Sequence, residues 1–186
     1  MRKDLGAKPY TYPQPVFILA AYGEDGTPNV MNAAWGGVSD TTELTMCISA
    51  GHKTTKDILA RGAFTVSMGD AAHVTACDYV GLVSGNEVPD KLARAGFSAV
   101  RAAHVDAPLI EQLSVAVECR LKSYDPATGH LVGEIVNVSV DESVIGADGR
   151  VDTAAVRPIC FDPFNDTYVA LGEVVGKAFS AGDALK

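Results

Sequence analysis

Apolar residues come in short unbroken runs along the first part of the chain, cut by turn-forming stretches. Val16-Phe17-Ile18-Leu19-Ala20-Ala21-Tyr22 is the first, and it reads as a strand. Gly23-Glu24-Asp25-Gly26 turns it, and Val30 to Trp35 returns, which predicts a hairpin. Leu44–Ser49 and Phe64–Met68 predict two further strands. Leu113–Tyr124 is long and rich in β-forming residues, and His130–Val140 runs back from the turn Asp125-Pro126-Ala127-Thr128-Gly129. A late pair is expected at Pro158–Phe161 and Thr167–Leu171.

The pattern changes between Met68 and Leu113. Asp70–Val83 has helical spacing, with Val74, Cys77, Asp78 and Gly81 as facing positions, and Asp90–Gly96 reads as a short helix ended by glycine. Few, clustered helices among hairpin-linked strands predict a mainly β fold with helical insertions. It is an antiparallel barrel rather than a βαβ array. No repeat, low-complexity tract or linker divides residues 1–186, so one domain is expected.

With 47% hydrophobic and 20% charged residues, the composition is that of an ordinary globular protein. A net charge of −8 argues against a broad surface for nucleic acid or anionic lipid. No run reaches a membrane span, and Met1–Gly6 has no apolar stretch behind it, so neither membrane insertion nor a signal peptide is expected. The four cysteines form no CxxC pair and are read as buried small hydrophobes, which fits a reducing, cytoplasmic setting. His73 and Cys77 share a helix face without a third ligand, so no metal site is expected. There is no GxGxxG after a strand. Gly172–Ala178 resembles a P-loop but is one residue short and has Ala in place of the hydroxyl.

Two stretches carry candidate chemistry. In Ile48-Ser49-Ala50-Gly51-His52-Lys53-Thr54-Thr55-Lys56, a strand ends in small residues and a basic, hydroxyl-rich turn opens a helix that Gly62 closes. Thr54 or Thr55 is the expected N-cap. The free N–H groups of the first turn, flanked by lysines, suit an anion. The plainer reading is a capped surface helix with solvated lysines. The second stretch, Asn29-Val30-Met31-Asn32-Ala33-Ala34-Trp35-Gly36-Gly37, holds the only Trp. Asn29 and Asn32 offer amides to a polar ring, the glycines allow close backbone approach, and Trp35 offers an aromatic face. A core or interface Trp is the alternative. Together the two stretches describe an elongated ligand with a phosphate tail and a flat hydrogen-bonding ring. Flavin mononucleotide (FMN) fits.

Pro15-Val16, Asn29-Val30-Met31 to Trp35-Gly36-Gly37, His52-Lys53-Thr54, Ile58 and Phe64-Thr65-Val66 together resemble the flavin reductase-like family, in its flavoredoxin-type branch. Asp78–Gly85, Asp90-Lys91, Gly133-Glu134-Ile135 and Gly172 to Phe179 fit the same branch. The resemblance implies an FMN-binding split β-barrel, assembled as a homodimer with sites near the subunit interface. It implies that Asn29, Val30, Met31, Asn32 and Trp35 line the flavin ring. Ser49, Ala50, Gly51, His52, Lys53, Thr54 and Thr55 would hold the ribityl chain and phosphate, and Asp78–Gly85, with Lys91, would border the site. The expected function is an oxidoreductase that passes electrons from a reduced donor, NAD(P)H, through FMN to an acceptor, with no side chain acting in proton transfer. The alternatives are an FMN electron carrier that does not use NAD(P)H and a flavin-binding sensor or storage domain. The aromatics Phe161, Phe164, Tyr168 and Phe179 are expected in a two-fold interface. Packing on their own barrel is the alternative.

Overall fold

The computed structural model describes residues 1–186, the side chain of Ala184 excepted. Along the first half run β1 (Gln14–Pro15), β2 (Phe17–Tyr22), β3 (Pro28–Ala33), β4 (Gly36–Asp40), β5 (Glu43–Cys47), α1 (Lys53–Arg61) and β6 (Ala63–Met68). Then come α2 (Val74–Leu82), α3 (Lys91–Arg94), β7 (Ala99–Arg101) and β8 (Pro108–Ile110). The chain ends in β9 (Val115–Asp125), β10 (His130–Val140), α4 (Thr153–Val156), β11 (Ile159–Asp162) and β12 (Thr167–Ala170). Strands β3-β2-β6-β9-β10-β5-β4 form one antiparallel seven-stranded sheet that curls into a half-barrel. A three-stranded sheet, β1-β11-β12, and the pair β7-β8 complete the β structure.

The unbroken apolar run of β2 follows from its position. Leu19 and Ala21 point into the barrel, where Met46, Ile58, Phe64 and Leu131 meet them. Ile18 and Ala20 point the other way, into a second core with Val30, Cys77, Val80 and Ile159. Alternate side chains leave opposite faces, and both faces are covered, so no polar position is left to alternate. The second core seats α2 against β3 and the C-terminal sheet, and this places the helix end beside Asn32.

The long hairpin β9–β10 carries irregular registers at Val132/Gly133 and Ile135/Asn137. A Cβ on Gly133 would lie 2.5 Å from Phe64 Cζ, so glycine lets β10 close over the largest fully buried side chain. Gly133→Ala should therefore lower stability by about 1–3 kcal/mol, read from the urea midpoint. Phe64→Leu in the same chain should recover part of that loss, because it removes the atom that collides. An unchanged midpoint for Gly133→Ala would show that the barrel yields there.

Several expectations need correction. Strand β4 was not expected: Trp35 lies in a bend between β3 and β4 instead of on the returning strand. Gly36 is spent on the sheet itself, since a Cβ there would come within 2.8 Å of Met46 Cγ and of the Thr45 carbonyl. α2 starts at Val74 and not near Asp70, because the Asp70 carboxylate accepts the N–H groups of Ala72 and His73 and holds that turn outside the helix. Among the cysteines, Cys77, Cys119 and Cys160 are buried, whereas Cys47 is half-exposed. Burial pushes the Cys77 thiol up to about 11 and that of Cys119 up to about 12. Among the described residues, no helix is long and apolar enough to cross a membrane.

Candidate functional site

Helix α1 opens on His52, in extended backbone, with no side-chain cap. The Lys56 N–H reaches the His52 carbonyl at 3.2 Å, so the helix begins ahead of both Thr54 and Thr55, either of which is the cap expected from the sequence. Thr54 and Thr55 are turned inward instead, at 1% and 0% exposure. The Thr55 hydroxyl donates to the Ser49 carbonyl at 2.8 Å, tying the turn to the end of β5. Among the described residues, the N–H groups of Lys53, Thr54 and Thr55 have no acceptor, and no acidic residue stands in the first turn. A positive helix end is left facing outward.

Beneath it lies a buried network. Lys53 Nζ donates to both Asp57 oxygens, at 2.9 and 3.0 Å. The Asn29 amide donates to Thr54 Oγ1 at 2.8 Å and to Asp57 Oδ2 at 3.0 Å. Asn29 thus spends its donors inside the protein and is only 5% exposed, so it braces Lys53 from below. Gly85 lies on this pair: a Cβ there would come 2.5 Å from Asn29 Oδ1.

Lys91 is the second cation. It is 3% exposed, and its Nζ donates to the carbonyls of Val80 and Val83, at 3.1 and 3.0 Å, at the end of α2. Burial pushes its pKa down to about 8; Asp57 opposes this and Lys53 adds to it. Lys53 and Lys91 line one cleft of about 390 Å³ with Met31, Asn32, His52 and the Gly81–Gly85 turn. Ser49, Ala50 and Gly51 are exposed in the turn ahead of α1 and do not line the cleft, and the Val30 side chain is in the core, so only its backbone could reach a ligand.

The hollow continues along β3. Asn32, Gly81 and Leu82 are shared with a chamber of about 270 Å³, which Asp78 and Tyr168 also line. The Asn32 amide donates to the Cys77 carbonyl at 3.0 Å, and Tyr168 Oη donates to Asp78 Oδ1 at 2.8 Å. Burial, followed by this bond, pushes the Tyr168 hydroxyl up to about 12. Ala34 joins the chamber to a third hollow of about 530 Å³, lined by Trp35, Met46, Cys47, His130 and the N-terminal strap Pro9–Pro15. Trp35 is 56% exposed. The two stretches singled out in the sequence therefore meet along one trough, cationic at the α1 end and aromatic at the other.

Asp57, Tyr168 and His130 were missed. The Lys53/Asp57 spacing of i, i+4 was a readable signal. Tyr168 gave none, since its partner is ninety positions away in the chain. These residues fit an anionic, flat ligand: uncapped N–H groups and two lysines at one end, with amide and aromatic faces beyond.

Residues 10–155 match the family model for the flavin reductase like domain. The fold superposes on the flavoredoxin of Desulfovibrio vulgaris (Miyazaki F) with a TM-score of 0.93 and 40% identity, over 98% of this chain and 100% of that one. For the flavoredoxin of Methanosarcina acetivorans the values are 0.85 and 25%, over 100% and 98%. An FMN-binding domain of a flavin reductase-like enzyme from Shewanella baltica shares the fold at a TM-score of 0.78 and 23% identity, over 88% and 89%. The chain belongs to the flavin reductase-like family, with the split-barrel fold of its FMN-binding members.

Proposed function

We propose that this protein binds FMN along the trough beside β3, works as a homodimer, and passes electrons from a reduced donor, NAD(P)H, through the flavin to an acceptor. The observation that carries the reading is the single trough that joins the uncapped, lysine-flanked start of α1 to the exposed Trp35. FMN, when bound, supplies the electron transfer; the chain binds and orients it. The first-turn N–H groups and Lys53 suit the phosphate. Lys91, held by two carbonyls, sets a fixed positive charge in the wall.

The test is anaerobic addition of NADH or NADPH to the flavin-loaded protein while the flavin band is followed. Rapid bleaching supports the oxidoreductase. Bleaching only by a reduced redox protein would make it a carrier, the reading favoured by its likeness to two proteins named flavoredoxin.

Lys91 gives the trough a pH dependence. As pH rises through about 8 the ammonium loses its proton and the cleft loses a positive charge, so FMN affinity should fall severalfold between pH 7 and pH 9. Lys91→Met should bind more weakly at pH 7 and show a flatter profile. The same depression has the opposite sign for stability. The unfolded lysine keeps its proton to about 10.5, so the ligand-free fold gains stability from about pH 8 upward.

The dimer rests on the C-terminal segment. Phe161 and Tyr168 pack on the second core of their own chain, at an interplanar angle of 56° to each other. Beyond β12, Val174, Val175 and Phe179 are 87%, 95% and 104% exposed, an apolar arm that leaves its own barrel. A second copy is the partner that would cover it beside the trough. Light scattering should give twice the chain mass at micromolar concentration, and truncation after Leu171 should give a monomer.

A further inference from the structure

A fourth hollow, of about 280 Å³, shares no lining residue with the trough. It lies where the β7–β8 pair meets the sheet face turned away from the barrel interior. Val117 and Cys119 of β9 point into the barrel, so Ala116 points out, and it lines this hollow. Beside it the Thr65 hydroxyl donates to the Pro108 carbonyl at 2.6 Å and pins β8 to β6. The floor is apolar, with Ile110, Leu113 and Ala116 all buried, and Val100 of β7 stands exposed at the rim.

The polar lining carries one sign of charge. It consists of Glu111, Ser114, Ser139 and Asp141, with no Lys, Arg or His. Among the described residues neither carboxylate forms an ion pair. Asp141 Oδ1 accepts the Ser143 N–H at 2.8 Å, and the bonds from Ser143 hold its carboxyl below the usual carboxylate range, so it is charged at neutral pH. Its own N–H donates to the Ser114 carbonyl at 2.8 Å, which fixes the acid at the mouth. The Ser139 hydroxyl gives its proton to the Ala116 carbonyl, at 3.4 Å, and so faces a ligand as an acceptor. On β6, Ser67 pairs with Ala116, which puts its side chain on the same face of the sheet. Ser67 Oγ is fully buried there without a hydrogen-bond partner, an unanswered polar group beside the floor. Among the described residues no three metal-ligating side chains converge, so the hollow is not built for a bare divalent ion.

We propose that this hollow is a second binding site, for a small organic ammonium ion. The hydrocarbon or aromatic body lies on the Ile110–Leu113–Ala116 floor, and the ammonium faces Glu111 and Asp141 with its N–H groups toward acceptors. The volume falls just under the range of about 300–1,000 Å³ typical of drug-sized ligands, so the body is a single ring or a short chain. Apolar floor and unpaired carboxylates work together: burial supplies attraction that an inorganic cation cannot gain, and the charge rejects an anion of the same shape. The site stands apart from the FMN trough and does not depend on the FMN reading.

Three probes with one ring and three charges test it: phenethylammonium, phenethyl alcohol and the hydrocinnamate anion. Each is titrated into methyl-labelled protein while the methyl signals of Val100, Leu109, Ile110 and Leu113 are followed by NMR, with and without FMN. Phenethylammonium should shift those signals, bind at least about tenfold more tightly than hydrocinnamate, and lose that preference at high salt. Its affinity should be the same in FMN-loaded and FMN-free protein. Glu111→Gln with Asp141→Asn removes both charges and keeps the bond to Ser143, since Asn caps as Asp does. It should bring phenethylammonium to within about threefold of the alcohol and leave the alcohol unchanged. Glu111→Gln alone is the second variant should the pair fold poorly, and it should remove part of the preference. Glu24→Gln with Asp40→Asn makes the same change in net charge at exposed positions outside the hollow, and should change nothing. The proposal is overturned if the four methyl groups do not respond, or if the three probes bind alike. It is overturned equally if the preference survives in the folded double variant, or if the remote pair abolishes it as well, because net charge alone would then be the cause.

Discussion

Lys53→Ala is expected to weaken FMN binding by about 1.5–3 kcal/mol, roughly ten- to a hundredfold, while riboflavin, which lacks the phosphate, should bind almost equally to variant and parent. The geometry makes the control necessary. Lys53 Nζ sits on both oxygens of Asp57, whose side chain is only 8% exposed, so removing the lysine leaves a carboxylate held by Asn29 alone. That loss acts on the fold and would weaken both ligands. Lys53→Ala with Asp57→Asn removes the orphaned charge together with its partner, and it should recover stability while leaving FMN weak. Isothermal titration of both ligands into both variants separates the effects. Equal losses for FMN and riboflavin in the double variant would show that Lys53 does not meet the phosphate.

The pairing of Lys53 with Asp57 also shows what the sequence alone could and could not resolve. Runs such as Val16–Tyr22 and His130–Val140 were legible because strand burial writes itself into consecutive positions, and the turn at Asp125–Gly129 is local chemistry. The pattern of small residues, cations and hydroxyls at Ser49–Thr55 located a helix start. It did not reveal which way the threonines turn. One or the other is the N-cap that local sequence suggests, yet Thr54 accepts from Asn29 of β3 and Thr55 donates to the Ser49 carbonyl, so neither caps the helix. Asn29 was credited to a ligand for the same reason: its exposed-looking polar sequence context hides a buried network with residues 25 and 28 positions away. Strand β4 was missed since Gly36-Gly37-Val38-Ser39-Asp40 has almost no β-forming side chains; it is held by pairing with β5, which no local window displays. The Tyr168–Asp78 contact is of the same long-range kind.

Trp35 is the residue on which the aromatic end of the trough depends, and its surroundings make it a clean test. Its carbonyl accepts the Cys47 N–H at 2.8 Å, and Gly36 behind it is pressed on Met46, so its backbone is fixed without help from the indole. The indole itself is 56% exposed, so truncating it opens no cavity in the core. Trp35→Ala should leave the unfolding midpoint nearly unchanged and cost about 1–3 kcal/mol of FMN binding, if stacking of a base on an aromatic ring is a fair guide. Trp35→Phe should keep most of the affinity and shift the rate of flavin reduction modestly. As the only Trp in the chain, it also reports directly. Its fluorescence should be quenched when FMN is added to the ligand-free protein and recover when FMN is removed. A second copy covering the indole would give another signature: a blue shift that grows with protein concentration and ignores FMN. Emission that responds to concentration alone, together with unchanged FMN affinity in Trp35→Ala, would move Trp35 from the flavin site to the interface, and the trough would then end at Asn32.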